Sequence, residues 1–400
     1  MRATIAILKQ YWFIGAVCGA VVILAAFSFL VVYAWLPNAT TVAVSNHAGM
    51  RVNEETVDKQ TTDDIPPTPI WPAPLDTAQY NQRLLALAGF SSSTLAETVT
   101  VVTAAGTTTV PKYTLVTSST TNTTIEGKLW PAANPYPNGG ALLPFNRIVA
   151  YYGNFYSRNM GILGELDHDD LIAKFDTTIA AWEKADPTTP VLPAVHYIAT
   201  VAQGTAGPYG LWRNIMPDEH IERAYDLAHE LDGVLFLDLQ VGLSTLEADL
   251  PYFREYLSRP DVHLGIDPEF SMKTGARPGS VIGTFDATDI NYTIDYLADI
   301  VNEYQLPPKV LVVHRFTDNM VTNYQDIKPR PEVQVVIDMD GWGAKELKTG
   351  TYNRVIIPEP VEFTGMKLFY KNDLKPPSTG LFSPSEVLEF TPKPIYIQYQ

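Results

Sequence analysis

From Asn146 to the C-terminus the chain alternates strand-like apolar runs with helix-like amphipathic ones, and few folds accept that rhythm. The strand-like runs are RIVAYYG (147–153), VLPAVHYIA (191–199), GVLFLDLQVG (233–242), VHLGIDPEF (262–270), KVLVVHRF (309–316), VQVVIDMDG (333–341), GMKLFYKN (365–372) and PIYIQYQ (394–400). Between them, residues 167–185, 218–231, 245–259 and 287–304 carry apolar positions at helical spacing, and SPSEVLEF opens with a capping signal, Ser383 before Glu386. Eight such alternations in about 255 residues predict an α/β fold of the (β/α)8 TIM-barrel type. A doubly wound sheet is the structural alternative, but no Gly-x-Gly-x-x-Gly turn follows the first strand.

Ahead of this region, residues 11–36 hold no charged side chain over 26 positions, and about 20 apolar residues suffice to cross a bilayer. A single transmembrane helix is expected there. Arg2 and Lys9 precede it and the next charge is Arg51, so residues 1–10 are expected in the cytoplasm and the main domain outside it. A cleaved signal peptide is the alternative, although its apolar core is usually shorter. The sole cysteine, Cys18, falls inside this run, so no intramolecular disulfide is possible. Residues 37–74 are polar and proline-punctuated, which reads as a stalk. Residues 75–145 read as a small extension: a short helix over 75–90, then a Thr- and Val-rich stretch of strands or continued stalk. A net charge of −16 argues against a nucleic-acid surface.

In a barrel, alternate strand residues face inward and the active end lies where the strands finish. The inward positions expected there are Tyr152, His196, Asp238, Gln240, Asp267, Glu269, His314, Asp338, Asp340, Tyr370, Asn372 and Gln398, with Arg315 close by. Five carboxylates at one mouth face little positive charge, and such crowding raises a carboxyl pKa. Asp267 and Glu269, two residues apart on an extended strand, would share one face with Cα atoms about 6.6 Å apart. Glu269 is the expected acid and Asp267 its helper; Asp340 would be the opposing base or nucleophile, with Asp238 in support. Paired carboxylates flanking a scissile bond are the chemistry of glycoside hydrolysis. Aromatic residues in the following loops, among them Trp212, Phe270, Phe316 and Trp342, suit the flat faces of sugar rings.

Taken together, NRIVAYYGN, MGILGE, PAVHYIATVAQG, FLDLQVG, VHLGIDPEFSM, KVLVVHRFT, VVIDMDGWG, KLFYKND and IYIQYQ resemble an uncharacterised family of exported, membrane-anchored bacterial proteins over residues 146–400. More distantly, Asp-x-Glu at a strand end resembles chitinase-like and muramidase-like glycosidases with (β/α)8 barrels. That resemblance implies Glu269 as acid and Asp267 as helper, on a glycan of the cell envelope or environment. The chain departs from it in lacking the full Asp-x-x-Asp-x-Asp-x-Glu run, and Tyr370-Lys371-Asn372 stands where a second strand-end Glu is common.

The glycosidase reading calls for no metal or cofactor. A metal-dependent hydrolase is the second possibility, since His196, Asp238, His314 and Asp340 are suitable ligand types at strand ends. A surface-tethered glycan-binding or scaffold protein is the third. A Gly-x-Ser-x-Gly elbow and a phosphate-binding Gly-rich Lys loop are both absent.

Overall fold

A computed structural model describes residues 72–90, 94–103, 106–116, 122–124, 129–207 and 209–400. The expected transmembrane run 11–36 and the stalk up to residue 71 lie outside the described residues. Among the described residues, no helix is long and apolar enough to cross a membrane.

Eight parallel strands close into a barrel: β1 (Arg147–Gly153), β2 (Val191–Ala202), β3 (Val234–Leu239), β4 (Val262–Ile266), β5 (Lys309–Arg315), β6 (Val333–Met339), β7 (Phe363–Leu368) and β8 (Tyr396–Tyr399). Each pairs with its neighbours in chain order, and β8 pairs back onto β1. All eight expected strands are present. The expected helices appear as α1 (Thr77–Leu87), α2 (His168–Ala185), α3 (Asp218–Glu230) and α4 (Ala287–Tyr304). The segment expected as one helix over 245–259 is instead three short turns, because Pro251 cannot continue the hydrogen-bond ladder and a 3-10 turn spans Leu250–Phe253. Ser383 and Glu386 form the expected capping box.

Strand alternation sorts the core into two layers. Outward residues such as Leu235, Leu237, Leu264, Ile266, Leu311 and Val313 pack beneath the helices. Inward residues Ile148, Ala150, Ala194, Val234, Phe236, Val310, Val312, Val336 and Phe363 fill the barrel, and Tyr80, Leu84 and Leu85 of α1 join that inner cluster. Helix α1 thus stoppers the end where the strands begin, with Asp76 capping it by accepting a bond from the Gln79 amide. The Thr- and Val-rich stretch, left between strand and stalk by its pattern, forms three antiparallel strands, Thr94–Thr103, Gly106–Val116 and Asn122–Thr124. With one barrel end sealed by apolar side chains, polar groups are gathered at the other.

Candidate functional site

Parallel register decides which inward side chains meet. Tyr152 pairs with His196, Asp238 with Gly265, His314 with Asp338, and Asp338 with Gly365. The barrel axis near its C-terminal end therefore carries a layer of ionisable groups. His196, Asp238, His314 and Asp338 are each 0% exposed. Two glycines make room for them: a Cβ on Gly265 would lie 2.4 Å from His196 Nε2 and 2.6 Å from Asp238 Oδ1, and one on Gly365 would lie 2.5 Å from Asp338 Oδ1. We expect Gly265→Ala to destabilise the fold by about 1–3 kcal/mol, read by denaturant unfolding, because the methyl group must displace packed charge. Wild-type stability in that variant would mean that the layer can rearrange freely.

Within the layer, Asp238 is the hub. Its Oδ1 lies 3.4 Å from His196 Nε2 and 3.3 Å from His314 Nε2, while its Oδ2 accepts a 2.9 Å bond from the Tyr152 hydroxyl. The far ring nitrogens also face polar groups. His196 Nδ1 sits 2.5 Å from the Tyr396 hydroxyl and 3.1 Å from Gln398 Nε2. His314 Nδ1 lies 3.4 Å from both Asp338 Oδ2 and Asp340 Oδ2. Burial lowers the His196 pKa to about 4. Burial also opposes charge on His314 and on Asp238, yet their mutual attraction prevails, holding His314 well above the ordinary imidazole range and Asp238 below the usual carboxylate range.

Above this layer a cleft of about 590 Å³ opens at the C-terminal strand ends. Tyr152, Gln240, Asp267, Glu269, Asp340, Trp342 and Asn372 line it, together with Phe270, Phe316, Lys367 and Phe369. The Gln240 amide donates to Asp267 Oδ2 and to the Tyr152 hydroxyl, both at 3.3 Å, joining the cleft floor to the buried layer. Burial raises Glu269 to about 7, with the nearby Asp340 charge adding to the effect. Burial likewise raises Asp340, and raises Asp267 well above its ordinary value. Gathering three carboxyl groups in one pocket thus favours the neutral form of each.

The local backbone differs from the expected extended strand. Strand β4 ends at Ile266, and Pro268 turns the chain into a single 3-10 turn, Pro268–Phe270. Asp267 caps that turn, its Oδ1 accepting a 3.0 Å bond from the Glu269 amide. The two acids reach one cleft, but a strand's two-residue repeat does not set their spacing.

Several expected site residues lie elsewhere. Gln398, His196, His314 and Asp238 sit in the buried layer and not among the cleft-lining side chains. Arg315 points outward from β5, where it pairs with Glu359 at 2.5 Å and bonds the Thr317 and Asp318 carbonyls. Tyr370 faces α2, bonding the Tyr151 hydroxyl at 3.1 Å beneath Lys174. It turns away because Lys367 and Phe369 take the inward parity on this strand, and a one-residue slip reverses every side chain. Trp212 belongs to a loop with left-handed backbone, φ 52°, and is not among the cleft-lining residues.

Lys367 is the functional candidate that the pattern did not single out. It is 4% exposed, with Nζ 3.7 Å from the Tyr152 ring centroid. A lysine interrupting an apolar strand run was the available signal, since lysine is seldom buried without a partner or a task. Trp342, at 56% exposure, stands at the cleft rim.

Fold and cleft together define a barrel protein whose C-terminal mouth holds a cluster of acids with raised pKa values, walled by aromatic rings. Comparison with models of known protein families and with curated proteins finds no match to this chain.

Proposed function

We propose that the chain is a glycoside-hydrolase-like enzyme, with Glu269 as general acid and Asp340 as base or nucleophile. The observation that carries this reading is the placement of Glu269 and Asp340 in one aromatic-walled cleft, where burial and the neighbouring charge raise Glu269 to about 7. A carboxylic acid kept neutral near physiological pH can protonate a departing sugar oxygen, while a second carboxylate acts on the anomeric carbon or on water. Asp267 is a positioning residue: it caps the turn that carries Glu269 and holds Gln240 in the floor. Phe270, Phe316, Trp342 and Phe369 offer flat apolar faces to sugar rings, and Asn372 offers a polar contact for hydroxyl groups.

The substrate in this reading is a cell-envelope or environmental glycan. The uncharged run 11–36 supports a membrane tether, with the barrel held outside the cytoplasm. His196, Asp238 and His314 favour the metal-hydrolase reading less, because all three are fully buried below the cleft floor.

The test is reducing-end release from a panel of glycans, peptidoglycan included, by the full-length chain across a pH series. Activity should fall as pH rises through about 7, because Glu269 is useful only while protonated, and fall again toward acid pH as Asp340, itself raised by burial, takes up a proton. Binding without turnover at any pH would replace the enzyme reading with a tethered glycan-binding protein.

A further inference from the structure

Beneath the cleft, the fully buried His196, Asp238 and His314 each offer one ligand atom within 4.8 Å of the others, and His196 Nε2 and His314 Nε2 both face Asp238 Oδ1. None of the three atoms has a hydrogen-bond partner of acceptable geometry. The two nitrogens stand 3.3 and 3.4 Å from the shared oxygen, beyond the usual range of about 2.7–3.2 Å for N–H···O, and are not aligned with it as hydrogen bonds. The two nitrogen–oxygen spacings fit another arrangement. Ligand atoms about 2.0–2.2 Å from a tetrahedral ion lie roughly 3.3–3.6 Å apart.

The surroundings place polar groups at the far side of each imidazole. A metal-bound imidazole usually gives its second ring nitrogen to an orienting partner. Here His314 Nδ1 faces the Asp338 and Asp340 carboxylates, and His196 Nδ1 faces the Tyr396 hydroxyl. The spare oxygen of Asp238 accepts the Tyr152 proton. Gly265 keeps side-chain atoms out of the space beside His196 Nε2 and Asp238 Oδ1. Asp238 is fully buried, and a buried carboxylate that also ligates an ion gains a compensating positive charge.

We propose that His196, Asp238 and His314 bind one divalent transition-metal ion of the zinc class under the floor of the cleft. The two imidazoles and one carboxylate supply three ligands, a borderline-soft donor set suited to zinc or cobalt(II) and poorly suited to magnesium or calcium. The ion organises the buried layer and does not depend on the glycosidase reading: metal content and product release are separate measurements.

Because the ligands are fully buried, the ion is expected to enter as the barrel folds and to exchange slowly afterwards. The full-length chain would be unfolded in chelator and refolded with zinc or with cobalt(II), and its bound metal measured after exhaustive dialysis. The expected result is one equivalent per chain, a visible cobalt(II) spectrum of tetrahedral type, and a higher unfolding midpoint for the loaded chain. Asp238→Asn and His314→Gln should each abolish the stoichiometric ion. His229→Gln should keep it, since His229 pairs with Asp261 on the surface and is the kind of site that takes up zinc adventitiously. Should either ligand variant misfold, the stoichiometry and cobalt spectrum of the wild-type chain, set beside those of His229→Gln, decide. Wild-type chain that refolds to the same midpoint without metal and holds none at stoichiometry overturns the proposal. Metal lost in His229→Gln but retained in Asp238→Asn overturns it equally.

Discussion

Replacing Glu269 with glutamine is expected to lower kcat/KM for glycan cleavage by about 10²–10⁴-fold while leaving glycan affinity nearly unchanged. Glutamine keeps the shape and the hydrogen-bonding edge of a protonated glutamic acid, but it has no proton to give. The defect should therefore depend on the leaving group. A substrate whose aglycone departs readily as an anion needs little protonation and should recover much of the lost rate. Asp340→Asn should lose activity on both kinds of substrate, because a base or nucleophile is needed whatever departs. Equal losses on both substrates in Glu269→Gln would refute the acid assignment. Unchanged turnover in both variants would remove the paired-carboxylate mechanism altogether.

A second large effect is expected in the frame behind the cleft. Lys348 and Asp373 are 1% and 2% exposed, and their side chains meet at 3.1 Å between the loops that follow β6 and β7. The Lys348 ammonium also donates to the Gly341 and Lys367 carbonyls at 2.6 and 2.7 Å. Asp373 accepts from the Gly343 and Phe369 amides at 2.8 and 2.9 Å. This pair pins the backbone that carries Asp340, Trp342, Lys367 and Phe369 into the cleft. Asp373→Ala leaves a buried ammonium without its counter-charge and two amides without their acceptor, and should cost about 3–5 kcal/mol in denaturant unfolding. Exchanging both partners for apolar residues of similar volume should recover part of that loss. A cost below about 1 kcal/mol for Asp373→Ala would show that packing alone holds the two loops.

The two effects differ in kind. Glu269 sits partly exposed on a capped turn, so its substitution reads out in catalysis. Asp373 holds the frame, so its loss should reach stability first and the cleft second. Lys367 is caught between these roles, since its carbonyl is anchored by Lys348 while its ammonium lies against the Tyr152 ring inside the cleft.

The eight strands of the barrel, the four long helices and the Ser383 cap were legible in the chain, because each is written by local periodicity and end signals that act over a few residues. The gathering of polar residues at the strand ends was legible for the same reason: inward parity along RIVAYYG, HYIA, LFLDLQ and VVHR follows directly from the alternation of apolar and polar positions. That parity failed on GMKLFYKN, where apolar residues occupy both faces and only the packing of Lys367 and Phe369 into the barrel put Tyr370 outside. Periodicity also carried the 262–270 run past Ile266, where Pro268 and the Asp267 cap turn the chain. Tertiary structure alone decided that His196, Asp238 and His314 form a sealed layer below the cleft, because strand register around a closed sheet sets the height of each side chain. It alone placed Gly265 and Gly365 where charge needs room, since what a glycine makes space for is contributed by strands distant in sequence.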